Sequence, residues 1–291
     1  MTLASRAIRA LVLIMLGGAA CSANADVGSY KVGGATSSII SDSGSWSWDG
    51  SYLSGFRSAL ENPSNFGPAG IVNRTIETVN LSTVDSTSLA GVNMFVGTWV
   101  SDSQAAPISA SVSNFFLNGG DLFLLQDDSS HDALGANLGL STTASDGSVS
   151  NGGAPLFDGP FGIAHDVRQF YNVGQLDSAA IFAHNGHIGG TNASGQITSA
   201  YWSAGEYAAG AGALFIIADI DMISTTTACG EPLGCGAFYS PLNDNGIYAL
   251  NTFSYLQSNG GNPPPVPEPE TYAMLLAGLA LISYIAKRKQ A

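Results

Sequence analysis

The sequence predicts an α/β domain whose mostly parallel sheet is flanked by helices. Apolar runs rich in β-branched and aromatic residues alternate with segments of helical period, and two runs, residues 92–100 and 213–220, are apolar nearly throughout. Such alternation is the pattern of strands joined by helical crossovers, and a strand without a polar face is one covered on both sides.

Residues 36–40 are the first expected strand, and residues 50–60 place Tyr52, Leu53, Phe56 and Leu60 at helical spacing. Strands follow at 74–79 and at 92–100, the second central in the sheet. A helix over 105–117 stops at Asn118-Gly119-Gly120, because glycine beyond the last turn readily takes the conformation that closes it. The fourth strand covers 122–126 and runs into Asp127-Asp128-Ser129-Ser130, whose side chains can accept from the free amides of a helix over 131–138. Residues 141–153, rich in Ser, Gly and Asp, read as a loop. Short strands at 179–184 and 200–202 flank a glycine-rich turn, 213–220 is the clearest buried strand, and a helix over 244–256 closes the domain.

The two ends differ in kind from this domain, which spans residues 26–262. Arg6 and Arg9 precede an apolar stretch, and Ala23-Asn24-Ala25 places small residues where a signal peptidase reads, so residues 1–25 read as a secretory signal peptide. The stretch is shorter than the ~20 residues of a membrane-spanning helix. Cys21 is disfavoured as a lipidation site because Gly18, not Leu or Val, stands three residues before it. At the other end, residues 263–270 form a Pro-rich linker, which prolines keep extended. Residues 271–286 carry no charge and, as a helix, would cover about 24 Å, enough for a thin or tilted span. Residues 287–291 contain Lys287-Arg288-Lys289 and are expected to stay cytoplasmic.

Val266-Pro267-Glu268-Pro269, followed by an apolar helix and a basic terminus, resembles the PEP-CTERM domain of Gram-negative bacteria that make exopolysaccharide. The resemblance implies an exported protein, anchored first in the inner membrane and then delivered to periplasm, outer membrane or cell surface. It also implies recognition by an exosortase, a membrane-embedded cysteine transpeptidase, and association with exopolysaccharide.

Of nine Lys and Arg and 22 Asp and Glu in the chain, the domain retains four bases (Lys31, Arg57, Arg74 and Arg168) and twenty acids. Such a field repels phosphate backbones and argues against nucleic acid as a partner. Cys229 and Cys235 survive signal cleavage in one Gly- and Pro-bearing loop, and an oxidising compartment favours their joining as a disulfide.

The order of elements also resembles the class I glutamine amidotransferase-like, flavodoxin-like fold. Phe95-Val96-Gly97, the run from Phe116 through Asn118-Gly119-Gly120 to Leu124, Gly205-Glu206, Ala218-Asp219 and Asp244-Asn245 carry the likeness. In that family a Gly-x-Cys-x-Gly elbow follows the fourth strand. Here the stretch is Gln126-Asp127-Asp128-Ser129-Ser130-His131, with no cysteine, no elbow glycine and no Gly-x-Ser-x-Gly, so no catalytic residue is carried over. Asp127, Asp128, Ser129, His131 and Asp132 remain as a candidate ligand turn at a strand's carboxyl end, where open α/β sheets bind ligands. Carboxylates and an imidazole there suit a divalent cation or acid–base work, and equally suit helix capping with no cofactor. His184 and His187 form a His-x-x-His pair without a third ligand nearby, and His165-Asp166 is less specific still. Trp46 and Trp48 in a Ser/Gly loop read as exposed, unlike Trp99 and Trp202. The expectation is a non-catalytic binding or structural domain, with a degenerate hydrolase or metal-dependent enzyme as the alternative.

Overall fold

The computed structural model describes residues 29–41, 44–147, 149–170, 173–224 and 243–260. The signal peptide, the Cys229–Cys235 loop, the Pro-rich linker, the apolar segment and the basic tail lie outside the described residues. Among those described, no helix is long and apolar enough to cross a membrane.

The strands are β1 (Tyr30–Ala35), β2 (Ile76–Leu81), β3 (Met94–Gly97), β4 (Asp121–Leu125), β5 (Thr142–Ala144), β6 (Val149–Asn151), β7 (Asp158–Gly159), β8 (Gly162–Ile163), β9 (Val167–Arg168), β10 (Gly174–Leu176), β11 (His187–Asn192), β12 (Ile197–Trp202) and β13 (Leu214–Ile217). The helices are α1 (Ser54–Leu60), α2 (Ser86–Leu89), α3 (Asp102–Leu117), α4 (Ala133–Ala136), α5 (Ser178–Ala183) and α6 (Asn245–Asn259). The main sheet runs β2-β1-β3-β4-β13-β12-β11-β6-β9, with β10 paired to β12 and β5, and β7 and β8 form a separate hairpin. From β2 to β13 every pairing is parallel, and from β13 onward every pairing is antiparallel. The molecule is thus a mixed α/β fold with a largely parallel centre.

Side chains of β4 alternate between two apolar layers, as a pleated strand requires. Phe123 packs with Phe56 of α1, Phe215 and Phe253 of α6, while Leu124 packs with Phe95, Ile108 and Phe116 beneath α3. Strands β3, β4 and β13 are buried at every residue, which explains why, apart from Asp121 at the start of β4, they carry no polar side chain. Each large apolar side chain so covered contributes about 1.5–3 kcal/mol. After α3, Gly119 has φ +98° and the amides of Gly119 and Gly120 donate to Phe116 and Phe115 at 3.0 Å, the closure expected of Asn118-Gly119-Gly120.

Five expectations are corrected. The first strand is residues 30–35; residues 36–40 form a turn in which the amides of Ile39 and Ile40 donate to the Thr36 carbonyl. The strand was masked by Gly33 and Gly34, poor strand formers that are needed here. A Cβ on Gly34 would stand 2.5 Å from the Trp48 ring. Trp48 is accordingly fully buried, while Trp46 is half-buried. Residues 178–183 are helix, started by Asp177, whose carboxylate accepts from the Ala179 amide at 3.1 Å. The expected loop over 141–153 contributes β5 and β6 to the antiparallel half, and the helix expected over 131–138 contracts to α4.

Strand β2 is an edge. The outward amide and the hydroxyl of Thr78 donate to Glu61 Oε1 at 3.3 and 2.5 Å. At the amino ends of the strands, the Tyr30 hydroxyl donates to buried Asp121 at 2.5 Å, and the Asp121 carboxylate also accepts from the Ala213 amide at 2.8 Å.

Candidate functional site

The carboxyl ends of β4 and β13 lie side by side, in register from Leu122 beside Leu214 to Leu125 beside Ile217. Extending that register by two residues sets Asp127 beside Asp219, each two positions beyond an apolar residue of the α1–α6 layer, Leu125 and Ile217. Asp221 lies in the short turn after β13, where the Asp219 carboxylate accepts from the amides of Asp221 at 2.9 Å and Phe170 at 2.7 Å. Three aspartates thereby share one buried corner of the rim.

The consequence is electrostatic. Burial, the nearby Asp221 and Asp128 charges and only partial relief from a Trp99 hydrogen bond push the Asp127 carboxyl up to about 8. Burial pushes Asp221 up to about 7, and burial with Asp221 and Asp127 alongside holds Asp219 well above the usual range. The physical cause is the same at each: a charge removed from water without a cation to meet it. One oxygen of Asp127 and one of Asp221 are buried with no hydrogen-bond partner.

The turn beyond Asp127 is organised differently. Asp128 Oδ1 accepts from the Ser130 amide at 2.8 Å, the Ser130 hydroxyl at 2.6 Å and His131 Nδ1 at 3.0 Å. Partial burial pushes its pKa up, but these hydrogen bonds outweigh it and hold the carboxyl below the ordinary value. His131 stacks on Trp99 with ring centroids 3.7 Å apart and planes 12° from parallel. Trp99 in turn donates its indole N–H to Asp127 Oδ2 at 3.2 Å and packs beside Trp46, which meets Tyr52 edge-on.

The structure therefore divides the five candidate residues. Asp127 faces the buried aspartates; Asp128 and His131 are bonded to one another; Ser129 is exposed. Buried Asp132 turns the other way, its Oδ2 accepting from the Thr142 amide at 2.6 Å. No side chain caps α4, so Asp128 shapes a turn and not a helix start. Asp219 and Asp221 are members of the site that the sequence reading did not include. The available signal was their place at the end of an apolar strand, but using it requires knowing that β13 adjoins β4.

The other candidates separate. His184 stacks on Tyr207 at 4.1 Å, while His187 bonds both oxygens of Glu206 at 3.1 Å and stacks on Tyr201. The Glu206 carboxyl, pushed up by partial burial, is held below its ordinary value by bonds from the Ser203 amide and from His187. The His165 amide donates to Asp244, and Asp166 is bound by the Arg168 guanidinium at 2.6–3.0 Å. Among the described residues, no group of three or more His, Cys, Asp or Glu is placed to hold a metal ion.

Residues 265–289 match the PEP-CTERM protein-sorting motif. The chain thus carries a sorting signal at its C-terminus, of the type borne by exported proteins that an exosortase processes at the membrane. No curated protein matches the sequence. Among solved structures, the domain is similar to the mmIFT52 N-terminal domain, at 11% identity and TM-score 0.44, covering 79% of this chain and 98% of that one. It is also similar to Cytoplasmic Protein STM3548 from Salmonella typhimurium, at 10% identity and TM-score 0.43, covering 72% and 88%.

Proposed function

We propose that this is an exosortase-sorted envelope protein whose domain binds its ligand without turning it over, at the rim formed by β4 and β13. The buried carboxyl oxygens of Asp127 and Asp221 carry the binding reading, since two of them without a partner stand together with Asp219 at the carboxyl end of two adjacent strands. The absence of cysteine or elbow glycine at residues 126–131 supports a non-catalytic role. Residues 1–25 act as signal peptide, residues 271–286 as a transient membrane anchor, and Cys229 with Cys235 as a stabilising disulfide. Exopolysaccharide is the proposed surrounding partner. The parallel order β2-β1-β3-β4-β13 supports a flavodoxin-like, class I glutamine amidotransferase-like reading of that half.

Calcium is the first ligand to try, monitored by thermal unfolding. A saturable rise in Tm that Asp127→Asn abolishes supports the rim as a binding site. One observation favours the alternative of a metal-dependent or degenerate hydrolytic enzyme: carboxyls raised to about 8 and about 7 at a strand end are suited to acid–base work. A turnover screen on the purified protein with and without EDTA separates the readings. EDTA-sensitive turnover lost in Asp127→Asn would overturn the non-catalytic one. Processing is tested by intact mass: retention of Lys287 to Lys289 on surface-exposed protein would refute cleavage.

A further inference from the structure

The aspartates at the carboxyl ends of β4 and β13 bring negative charge together without the geometry of a metal site. Asp127 and Asp221 are 5% and 6% exposed, and in each Oδ1 is sealed from solvent with no hydrogen-bond partner. Both oxygens of Asp219 accept from backbone amides, and Oδ2 of Asp127 accepts from the Trp99 indole. Two acceptors are left over in one corner, and the four bases of the domain stand elsewhere. Lys31 pairs with Glu77, Arg57 donates to the Trp48 and Gly50 carbonyls, Arg74 lies over the Tyr30 ring and Arg168 binds Asp166.

The kind of donor that satisfies such acceptors follows from their spacing. A calcium ion needs several oxygens converging at about 2.3–2.6 Å, and among the described residues no such group is formed. A primary ammonium carries its charge on three N–H donors that point apart and each reach about 2.8 Å, so it serves acceptors too far apart to share a metal. The half-buried rings of Trp99 and Trp46, with centroids 6.4 Å apart, border the corner on the indole side and offer apolar surface to a carbon skeleton.

We infer, on the reading that this rim is the binding site, that its ligand is a small organic molecule bearing a primary ammonium group, held by Asp127 and Asp221. The ammonium bonds to ionised carboxylates, so its binding displaces protons from the corner. Burial with Asp221 and Asp128 alongside pushes Asp127 up to about 8, and burial pushes Asp221 up to about 7. Asp219 stands with them, and His131 lies across the Trp99 ring. Helix α6 packs on the turn that carries Asp221 and brings Asp244, which accepts from the His165 and Asp166 amides. Affinity therefore rises as pH passes through this range.

An NMR titration of the full chain in neutral detergent micelles tests this, read at the Trp99 indole N–H and assigned by its loss in Trp99→Phe. The probes are butylamine and glucosamine, with butanol and glucose as uncharged counterparts and calcium chloride alongside. The expected result is a saturable shift with the amines and none with their counterparts. Butylamine, whose ammonium stays charged throughout, should bind at least about tenfold more tightly at about pH 8.5 than at about pH 6. Asp127→Asn and Asp221→Asn should each weaken it at least about tenfold at the higher pH and reduce the pH dependence. Tighter binding of glucosamine assigns the ligand to amino sugars and tighter binding of butylamine to alkyl amines, and either supports the inference. Amine shifts unchanged in both Asn variants reflect attraction to the acidic surface at large and overturn it. A calcium response lost in Asp127→Asn, with none to the amines, overturns the inference and leaves the rim as a site. No response to amine or calcium removes the rim reading as well.

Discussion

At the rim of β4 and β13, Asp127, Asp219 and Asp221 are packed away from water and beside one another, and their carboxyls are pushed up. A few residues away, Asp128 sits half-exposed with His131, and on β11 the partner of His187 is Glu206; both carboxyls are held down. The same residue types thus stand in two regimes, separated by burial and by the presence of a donor. The more exposed pairs stabilise the fold modestly, each carboxylate being met by its own donors. The buried group opposes ionisation, and that opposition is removed by anything that neutralises it, whether a proton, a cation or an amide.

The largest effect expected is at Asp219. Replacing it with Ala strands the amides of Phe170 and Asp221 in a buried corner and should cost about 2–4 kcal/mol in urea unfolding at about pH 4, and less as pH rises, because the raised Asp219 carboxyl opposes folding there. A loss below 1 kcal/mol would mean that the corner relaxes and is not a fixed cluster.

Next comes the pH dependence of Asp127. Its folded pKa of about 8 lies above the unfolded value of roughly 3.9, so between these limits the folded chain holds a proton that the unfolded chain has released. Stability from this group therefore falls as pH rises from about 4 to about 8 and is level beyond. Asp127→Asn removes the titration. It should stabilise the protein by about 1–3 kcal/mol at pH 8 and change it by less than about 0.5 kcal/mol at pH 4. Equal effects at the two pH values would place Asp127 in contact with water and erase the contrast with Asp128.

Trp99→Phe sharpens the comparison from within. It preserves a ring against His131 and removes the indole donor to Asp127, so the Asp127 carboxyl should titrate still higher in an NMR experiment. A downward shift would show that water replaces the indole.

The smallest effect is Asp128→Asn. Its folded pKa is lowered, so its contribution is present above the unfolded pKa of about 3.9 and lost as pH falls through the folded value. Because the side chain is about a third exposed, screening limits the loss to under about 1 kcal/mol at pH 7, with a smaller loss as pH falls through the folded value. Melting curves across that pH range check this.

How much of this was legible follows from what each element depends on. Strands β3, β4 and β13 announce themselves because burial on both faces favours apolar residues, with only Asp121, held by its own hydrogen bonds, departing from the run. Strand β1 does not, since Gly34 is fixed by the bulk of Trp48 and Gly33 by Val92 and Leu81, contacts that no local strand preference records. The antiparallel half is assembled from strands of two to six residues, several polar, whose pairing is decided by the neighbours they find. At the site, Asp127 and Asp128 are adjacent and chemically alike, so no pattern separates them. Their fates diverge because consecutive residues leave the strand end in opposite directions, one toward Asp221 and one toward Ser130.

Glu61 has a consequence for behaviour at high density. An edge strand with free amides is a template on which a second molecule can add a strand, and a row of such molecules can zip together. On β2 the outward amide of Thr78 is already given to the Glu61 carboxylate, and the charge stands where an incoming backbone would have to lie. Glu77 adds a second carboxylate on the same strand, half-exposed and paired with Lys31. Copies crowded onto one surface would therefore meet along this edge as like charges facing each other, and stay individual molecules.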